Sequence, residues 1–101
     1  MKIITVCGSL KFKKEMMEIT EKMDLEGNCM LSVVYPTRKD KNDYTEKEFM
    51  TFDKMHKERI KISDAILVVN VGGYIGNGTM CEIEYAKSLN KEIIYYTDLV
   101  K

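Results

Sequence analysis

The sequence lacks the features that would direct it to a nucleic acid or a membrane. Its 101 residues carry 16 basic and 16 acidic side chains, so the formal net charge is zero, whereas binding to a phosphate backbone needs a basic excess. No apolar run is long enough to cross a bilayer, and no signal peptide precedes the first apolar segment. We therefore expect neither a nucleic-acid polymer nor a membrane as a partner.

Cysteine and histidine are scarce and scattered along the chain. The cysteines, Cys7, Cys29 and Cys81, are odd in number and have no close pairing, which indicates free thiols in a reducing cytoplasm. Together with the single histidine, His56, they show no zinc-binding spacing. No metal site is predicted, and the length of the chain predicts one domain over residues 1–101.

Short apolar runs alternate with segments of helical periodicity. The runs predict strands over residues 3–6, 30–35, 65–70 and 93–96, and the periodic segments predict helices over residues 10–27, 45–62 and 79–89. Alternation with short connections indicates parallel strands joined by right-handed crossovers. We expect a three-layer α/β/α fold of the Rossmann/flavodoxin-like class, with a four-stranded parallel sheet in the order 2-1-3-4.

This strand order predicts where a ligand would bind. Ligands in open α/β sheets lie beyond the carboxyl ends of the strands, at the point where the strand order reverses. Here that point lies between the first and third strands, so residues 7–11 and the glycine-rich residues 70–78 should line one crevice. Asn70, Gly76, Gly78 and Thr79 are accordingly predicted to contact the ligand, with Asn70 binding a sugar hydroxyl.

The first of these two loops has the composition of an anion site. Gly8 lets a phosphate approach the backbone where a strand turns into a helix, and the helix dipole favours negative charge there. Ser9 would bind the phosphate and Lys11 would add charge. An equally good interpretation is that Gly8 and Ser9 only form a turn and a helix N-cap.

Two carboxylates, Glu82 and Glu84, follow the second loop. Acidic residues are common near a helix N-terminus because they interact favourably with the dipole. Ile83 should face the sheet, and Glu82 lies beside it at the end nearest the loop, so Glu82 is the better placed of the two for the crevice. His56 has helical spacing from Phe52 and Ile60, which fits either a site residue or a packed histidine.

Three segments together resemble the nucleoside 2-deoxyribosyltransferase family, including its relatives that hydrolyse deoxynucleoside 5′-monophosphates. The resemblance covers nearly the whole chain in the right order. Its most specific part is the third segment. The segments are Cys7-Gly8-Ser9, Ser63-Asp64-Ala65 and Gly78-Thr79-x-x-Glu82-Ile83-x-Tyr85-Ala86.

The resemblance implies a covalent mechanism in which Glu82 is the nucleophile. It would attack the anomeric carbon, expel the base and hold the sugar as an ester until water or a second base takes it. Gly8, Ser9 and Lys11 match the loop that holds a 5′-phosphate in the monophosphate hydrolases.

The chain departs from the family at two positions. Thr5 stands where relatives have a tyrosine that supports the nucleophile. His56 stands where they have an aspartate that helps to protonate the leaving base. Histidine can also act as an acid near neutral pH.

Two functions follow from these residues. The first is an enzyme that cleaves the N-glycosidic bond of a nucleoside or nucleoside 5′-monophosphate, or transfers its deoxyribosyl group. Glu82 and His56 would be its catalytic residues, and it would use no cofactor. The resemblance also implies a homodimer or higher homo-oligomer. The second is a catalytically inactive nucleotide-binding module, which the changes at Thr5 and His56 favour. A flavodoxin-like FMN carrier is less well supported, because no flavin-stacking aromatic residues follow the glycine loop.

Overall fold

The two most apolar runs of the sequence form adjacent central strands of one parallel sheet. In the computed structural model, which describes residues 1–100, they are β1 (Ile3–Gly8) and β3 (Ala65–Val69). Their register runs from Ile4 opposite Ala65 to Gly8 opposite Val69. Every residue of β3 is buried, as expected of a central parallel strand covered on both faces.

The outer strands are β2 (Cys29–Leu31), which pairs with β1, and β4 (Glu92–Tyr95), which pairs with β3. All pairings are parallel, and the strand order is β2-β1-β3-β4. The predicted parallel sheet with the order 2-1-3-4 is therefore confirmed.

Helices cover both faces of the sheet. Helix α1 (Lys13–Leu25) packs on one face, and α2 (Glu46–Ile62) and α3 (Asn77–Ser88) pack on the other. A short α4 (Tyr96–Leu99) follows β4. This arrangement confirms the three-layer α/β/α architecture. Across residues 1–100, no helix has both the length and the apolar character needed to cross a membrane.

The side chains of β1 alternate between the two helical layers, as the geometry of a strand requires. Ile4 and Val6 pack with Met16 in the core beneath α1. Cys7 packs with Ile60 in the core beneath α2 and α3. The polar contacts of β1 therefore fall on the α2–α3 side.

The start of α2 was predicted from its capping residues. Thr45 is the N-cap, its hydroxyl accepts a hydrogen bond from Glu48 N at 3.1 Å, and the Glu48 carboxylate accepts one from Thr45 N at 2.9 Å. This capping box confirms the prediction, and an N-cap side chain of this kind contributes roughly 1 kcal/mol to helix stability. It fixes the register of the helix that carries His56.

Several predicted boundaries were wrong. β1 extends two residues further, to Gly8, because its carboxyl end continues to pair with β3. β2 ends at Leu31, because it is an edge strand with only three paired residues, although Val33 still packs against the core. α3 begins at Asn77 after Gly76 and not at Thr79. Tyr96 starts α4 and does not end β4.

Candidate active site

The loops that follow β1 and β3 lie side by side, as the strand order predicted. The rings of Phe12 and Tyr74, one from each connection, meet edge to face with centroids 5.8 Å apart. Lys11 Nζ lies 3.3 Å from the centroid of the Tyr74 ring, a cation–π contact between the two loops. Glycine is favoured at position 8, because its φ of 158° is one that other residues rarely adopt and a Cβ there would lie 3.1 Å from the carbonyl oxygen of Val69.

An open cavity of about 230 Å³ lies at this end of the sheet. Its wall is mainly apolar, with a few ionisable groups at its floor, which is the usual composition of a small-molecule site. The lining side chains and backbone belong to Gly8, Leu10, Val33, Val34, Pro36, Phe49, Phe52, Asp53, His56, Arg59 and Glu82.

Glu82 reaches the cavity because of its position on α3. Thr79, Ile83 and Ala86 are the buried residues of this helix, and Glu82 lies on the edge of the stripe that they form. Its side chain is 21% exposed, and Oε1 lies 3.5 Å from His56 Nε2. A carboxylate is thus held at the floor of the cavity beside a nitrogen that can exchange a proton.

His56 reaches the same point from α2. It lies one turn before the fully buried Ile60, and it is itself only 8% exposed. Its Nε2 faces Glu82 and also lies 3.4 Å from Cys7 Sγ. Among residues 1–100, no group makes a hydrogen bond with its buried Nδ1, so the polar contacts of the ring all lie on its Nε2 side.

Cys7 belongs to the site, although the sequence analysis assigned it no role there. It lies near the carboxyl end of β1, where it is completely buried and contacts His56. Burial, followed by the charge of Glu82 and a hydrogen bond with it, raises the pKa of the Cys7 thiol well above its ordinary value. The thiol is therefore protonated at neutral pH. The one sequence signal for its position is that side chains two residues apart in a strand share a face, so Cys7 lies on the same face of β1 as Thr5.

Thr5 stands where the resemblance leads one to expect a tyrosine that supports the nucleophile, but its hydroxyl is used elsewhere. Its side chain is buried, and its Oγ1 lies 2.6 Å from Ser63 Oγ. Ser63 in turn donates to the carbonyl oxygen of Arg59 at 2.7 Å. The Thr5 hydroxyl is thus used in a hydrogen-bond chain that ties β1 to the end of α2.

The other predicted ligand contacts are distributed differently. Ser9 is the N-cap of a short turn over Leu10–Phe12, and its Oγ accepts a weak hydrogen bond from Lys11 N at 3.4 Å. Asn70 is buried, and its Oδ1 accepts a hydrogen bond from Thr97 N at 3.2 Å. The capping interpretation of Ser9 is confirmed, while the side chain of Asn70 is engaged at the start of α4.

The prediction that both loops line one crevice was wrong for the second loop, because no residue of 70–78 lines the cavity. Gly72 and Gly73 have φ values of 64° and 86°, which glycine adopts without strain. Of the predicted ligand contacts among the described residues, Gly8 lines the cavity with the two catalytic candidates. The ones outside its lining are Ser9, Lys11, Asn70, Gly76, Gly78 and Thr79.

Arg59 was also missed at the sequence level. It lies one turn after His56 on α2 and lines the cavity. Within the described part of the chain, its buried Nη1 atom has no hydrogen-bond partner, and neither has Tyr35 Oη. A buried guanidinium nitrogen without a partner is costly, and an anionic ligand in the cavity would satisfy it.

The site therefore combines a carboxylate suited to nucleophilic attack, an imidazole suited to proton transfer and a guanidinium suited to an anion. Cys7, His56 and Glu82 also offer three atoms that lie within 4.8 Å of one another and could bind a metal ion. The spacing of these residues in the sequence did not predict this cluster, because each comes from a different element of the fold.

Comparison with known proteins supports the fold. No family profile and no curated protein matches the sequence. A solved structure of a 2-desoxiribosyltransferase from Leishmania mexicana is similar, with a TM-score of 0.69 and 16% sequence identity. The similarity covers 95% of this chain and 64% of that one, so the chain spans less than two thirds of the length of that protein. At this identity the similarity shows a shared fold.

Proposed function

We propose that the protein cleaves the N-glycosidic bond of a nucleoside or nucleoside 5′-monophosphate through a covalent glycosyl-Glu82 intermediate. The observation that carries this proposal is the approach of Glu82 Oε1 to within 3.5 Å of His56 Nε2 at the floor of the cavity. The position of the cavity at the carboxyl end of the sheet supports it, as do the Gly78-Thr79-x-x-Glu82 segment and the fold shared with a 2-desoxiribosyltransferase.

In the first step, a Glu82 carboxylate oxygen attacks the anomeric carbon and the bond from that carbon to the base breaks. The electron pair of the broken bond stays on the base nitrogen, and His56 in its protonated form supplies a proton to the base. In the second step, water or another base attacks the anomeric carbon, its proton passes to the now neutral His56, and the bond from that carbon to the Glu82 carboxylate breaks. This is the two-step logic of retaining glycoside hydrolysis.

The small volume of the cavity bears on the oligomeric state of the protein. Its volume of about 230 Å³ is below the roughly 300–1,000 Å³ usual for enclosed ligand sites, and Leu10 and Phe49 at its edge are 44% and 43% exposed. We therefore include a homo-oligomer in the proposal, with a second subunit covering the cavity. Sedimentation at the mass of one chain, with substrate present, would contradict this part.

Glycosyl cleavage is tested by incubating the protein with ribo- and deoxyribonucleosides and their 5′-monophosphates and measuring free base by chromatography. Glu82→Gln removes the nucleophile but keeps the size of the side chain. Glu84→Gln is the matched control, because Glu84 is exposed on the same helix. We expect base release by the wild type and by Glu84→Gln, and a loss of more than about 10³-fold in Glu82→Gln.

An inactive nucleotide-binding module is the second candidate. Thr5 favours it, because it stands where the resemblance leads one to expect a tyrosine that supports the nucleophile, and its hydroxyl contacts Ser63. The same assay separates the two functions. If no substrate releases its base at high enzyme concentration, with or without an added acceptor base, while a nucleotide still binds by calorimetry, the binding module is the correct account.

A further inference from the structure

Three side chains with metal-binding atoms meet beside the cavity, which two of them, His56 and Glu82, line. Cys7 comes from β1, His56 from α2 and Glu82 from α3, and one ligand atom of each lies within 4.8 Å of the other two. The sulfur and the carboxylate oxygen lie 3.4 Å and 3.5 Å from the same nitrogen, His56 Nε2. The three ligand atoms thus lie close together where three packed elements meet.

The two separations from His56 Nε2 fit a single tetrahedral ion. With zinc–sulfur bonds of about 2.3 Å and zinc–nitrogen or zinc–oxygen bonds of about 2.0–2.2 Å, neighbouring ligand atoms lie roughly 3.3–3.6 Å apart. A neutral imidazole offers at Nε2 either one hydrogen or one lone pair. It can therefore make a good hydrogen bond with only one of its two neighbours, Cys7 Sγ or Glu82 Oε1. An ion between the three atoms would satisfy all of them together.

Burial and charge point the same way. Cys7 is fully buried, His56 is 8% exposed and the Glu82 side chain is 21% exposed. The His56 ring is oriented into the cluster, because its polar contacts among the described residues all involve Nε2. When bound to an ion, a thiolate, a carboxylate and a neutral imidazole carry two negative charges. One divalent cation would neutralise them in this poorly solvated place.

We propose that Cys7, His56 and Glu82 bind one Zn²⁺ ion. The mixture of sulfur, imidazole nitrogen and carboxylate oxygen suits zinc, whereas magnesium and calcium prefer oxygen ligands. On binding, a bond forms between Cys7 Sγ and the ion, and the thiol proton passes to solvent. Three protein ligands leave the fourth coordination position open towards the cavity that His56 and Glu82 line.

The proposed zinc site has a consequence that rests on the proposed function. A Glu82 carboxylate bound to zinc cannot attack an anomeric carbon, and His56 bound through Nε2 cannot deliver a proton from that atom. Zinc would therefore inhibit base release reversibly, and a chelator would restore it. Metal binding itself is measured without turnover, so a failure of the glycosidase proposal leaves the zinc site open to test.

The site is tested by titrating the whole chain with Co²⁺ as a spectroscopic probe and then displacing the cobalt with Zn²⁺. We expect one ion per chain and an intense near-ultraviolet charge-transfer band that reports a cobalt–thiolate bond. Cys7→Ser should lose the band and weaken zinc binding, measured against a chromophoric chelator. The loss should exceed the about 10–100-fold that removal of an outer-shell partner costs.

Matched variants keep the test decisive. Cys81→Ser removes an exposed thiol from α3 and Cys29→Ser a half-buried one from β2, and both should bind cobalt as the wild type does. Glu82→Gln removes a ligand without altering the β1 core, so it tests the site even if Cys7→Ser fails to fold. It should weaken zinc binding more than Glu84→Gln does. The proposal is overturned if the wild type shows no charge-transfer band at saturating Co²⁺. It is equally overturned if the band survives in folded Cys7→Ser, or if Glu82→Gln binds zinc as tightly as Glu84→Gln.

Discussion

The two faces of the central sheet bury different kinds of side chain. Under α1, the strands contribute Ile4, Val6 and Leu67 to a core that is apolar throughout. On the α2–α3 side, the same strand β1 places Thr5 and Cys7. Of the five buried polar side chains among residues 1–100, four belong to this second side or contact it: Thr5, His56, Ser63 and Thr79.

The residues of β1 that face α1 contribute to stability, whereas on the side of α2 and α3 Cys7 belongs to the candidate site. Apolar burial is the main favourable contribution to folding, and buried polar groups contribute only when they are hydrogen-bonded. Thr5 and Ser63 satisfy each other. Two of the three buried polar atoms without a partner in the described part of the chain, His56 Nδ1 and Arg59 Nη1, belong to residues that line the cavity, and the third is Tyr35 Oη. Unsatisfied polar groups beside a cavity are expected where a ligand binds.

The largest effect that would sharpen this comparison is expected from His56→Gln. Removing the proton donor should lower the rate of base release by about 10²–10⁴-fold. Steady-state kinetics with a natural base measure the loss. A substrate whose leaving group departs as a stable anion needs no proton and should be nearly unaffected. An equal loss with both substrates would show that His56 acts in some other way.

A substitution in the core under α1 should lower stability and leave the rate of base release nearly unchanged. Leu67 is completely buried there, so Leu67→Ala should lower the free energy of unfolding by about 2–5 kcal/mol. The rate per folded molecule should stay within about twofold of the wild type. Urea denaturation followed by circular dichroism measures the first quantity, and activity below the transition measures the second.

Met17→Ala is the control for that substitution, because Met17 is 51% exposed on α1 and should change stability by less than about 0.5 kcal/mol. A large loss of activity in folded Leu67→Ala would show that the two faces are coupled and would contradict the separation described above.

The smallest of these effects is expected from Arg59→Gln. If the unpartnered guanidinium binds the phosphate of a nucleotide, its loss removes a charged hydrogen bond worth about 1.5–3 kcal/mol, or roughly 10–100-fold in kcat/KM for a 5′-monophosphate. The matching nucleoside serves as an internal control and should be affected much less. Equal losses for both substrates would assign Arg59 to the structure of the cavity.

Much of the fold could be predicted because its signals are local. Continuous apolar runs marked the central strands β1 and β3, and the Thr45–Glu48 capping box marked the start of α2. The end of β2 could not be predicted, because the apolar run continues to Tyr35 but only the first residues find a partner on β1. Helix α4 has four residues, which is too few for a helical period to be visible.

The candidate site was less predictable, since it depends on contacts between distant elements. Glu82 and His56 were selected from a resemblance and a helical spacing, and the structure places them in contact. Cys7 and Arg59 belong to the same place, but a cysteine in an apolar run and an arginine on a charged helix look ordinary in sequence. Asn70 was selected for its place at the end of β3, and its Oδ1 accepts a hydrogen bond from Thr97 N of α4, a helix that was not predicted.

The most direct test of the central claim is detection of the glycosyl-enzyme itself. Wild-type protein is quenched with acid during turnover of the best substrate from the panel, and its peptides are analysed by mass spectrometry. The mechanism predicts an added glycosyl unit on Glu82, also present in Glu84→Gln and absent from Glu82→Gln. Undiminished base release by Glu82→Gln, or a glycosyl unit on another residue during turnover, would contradict it.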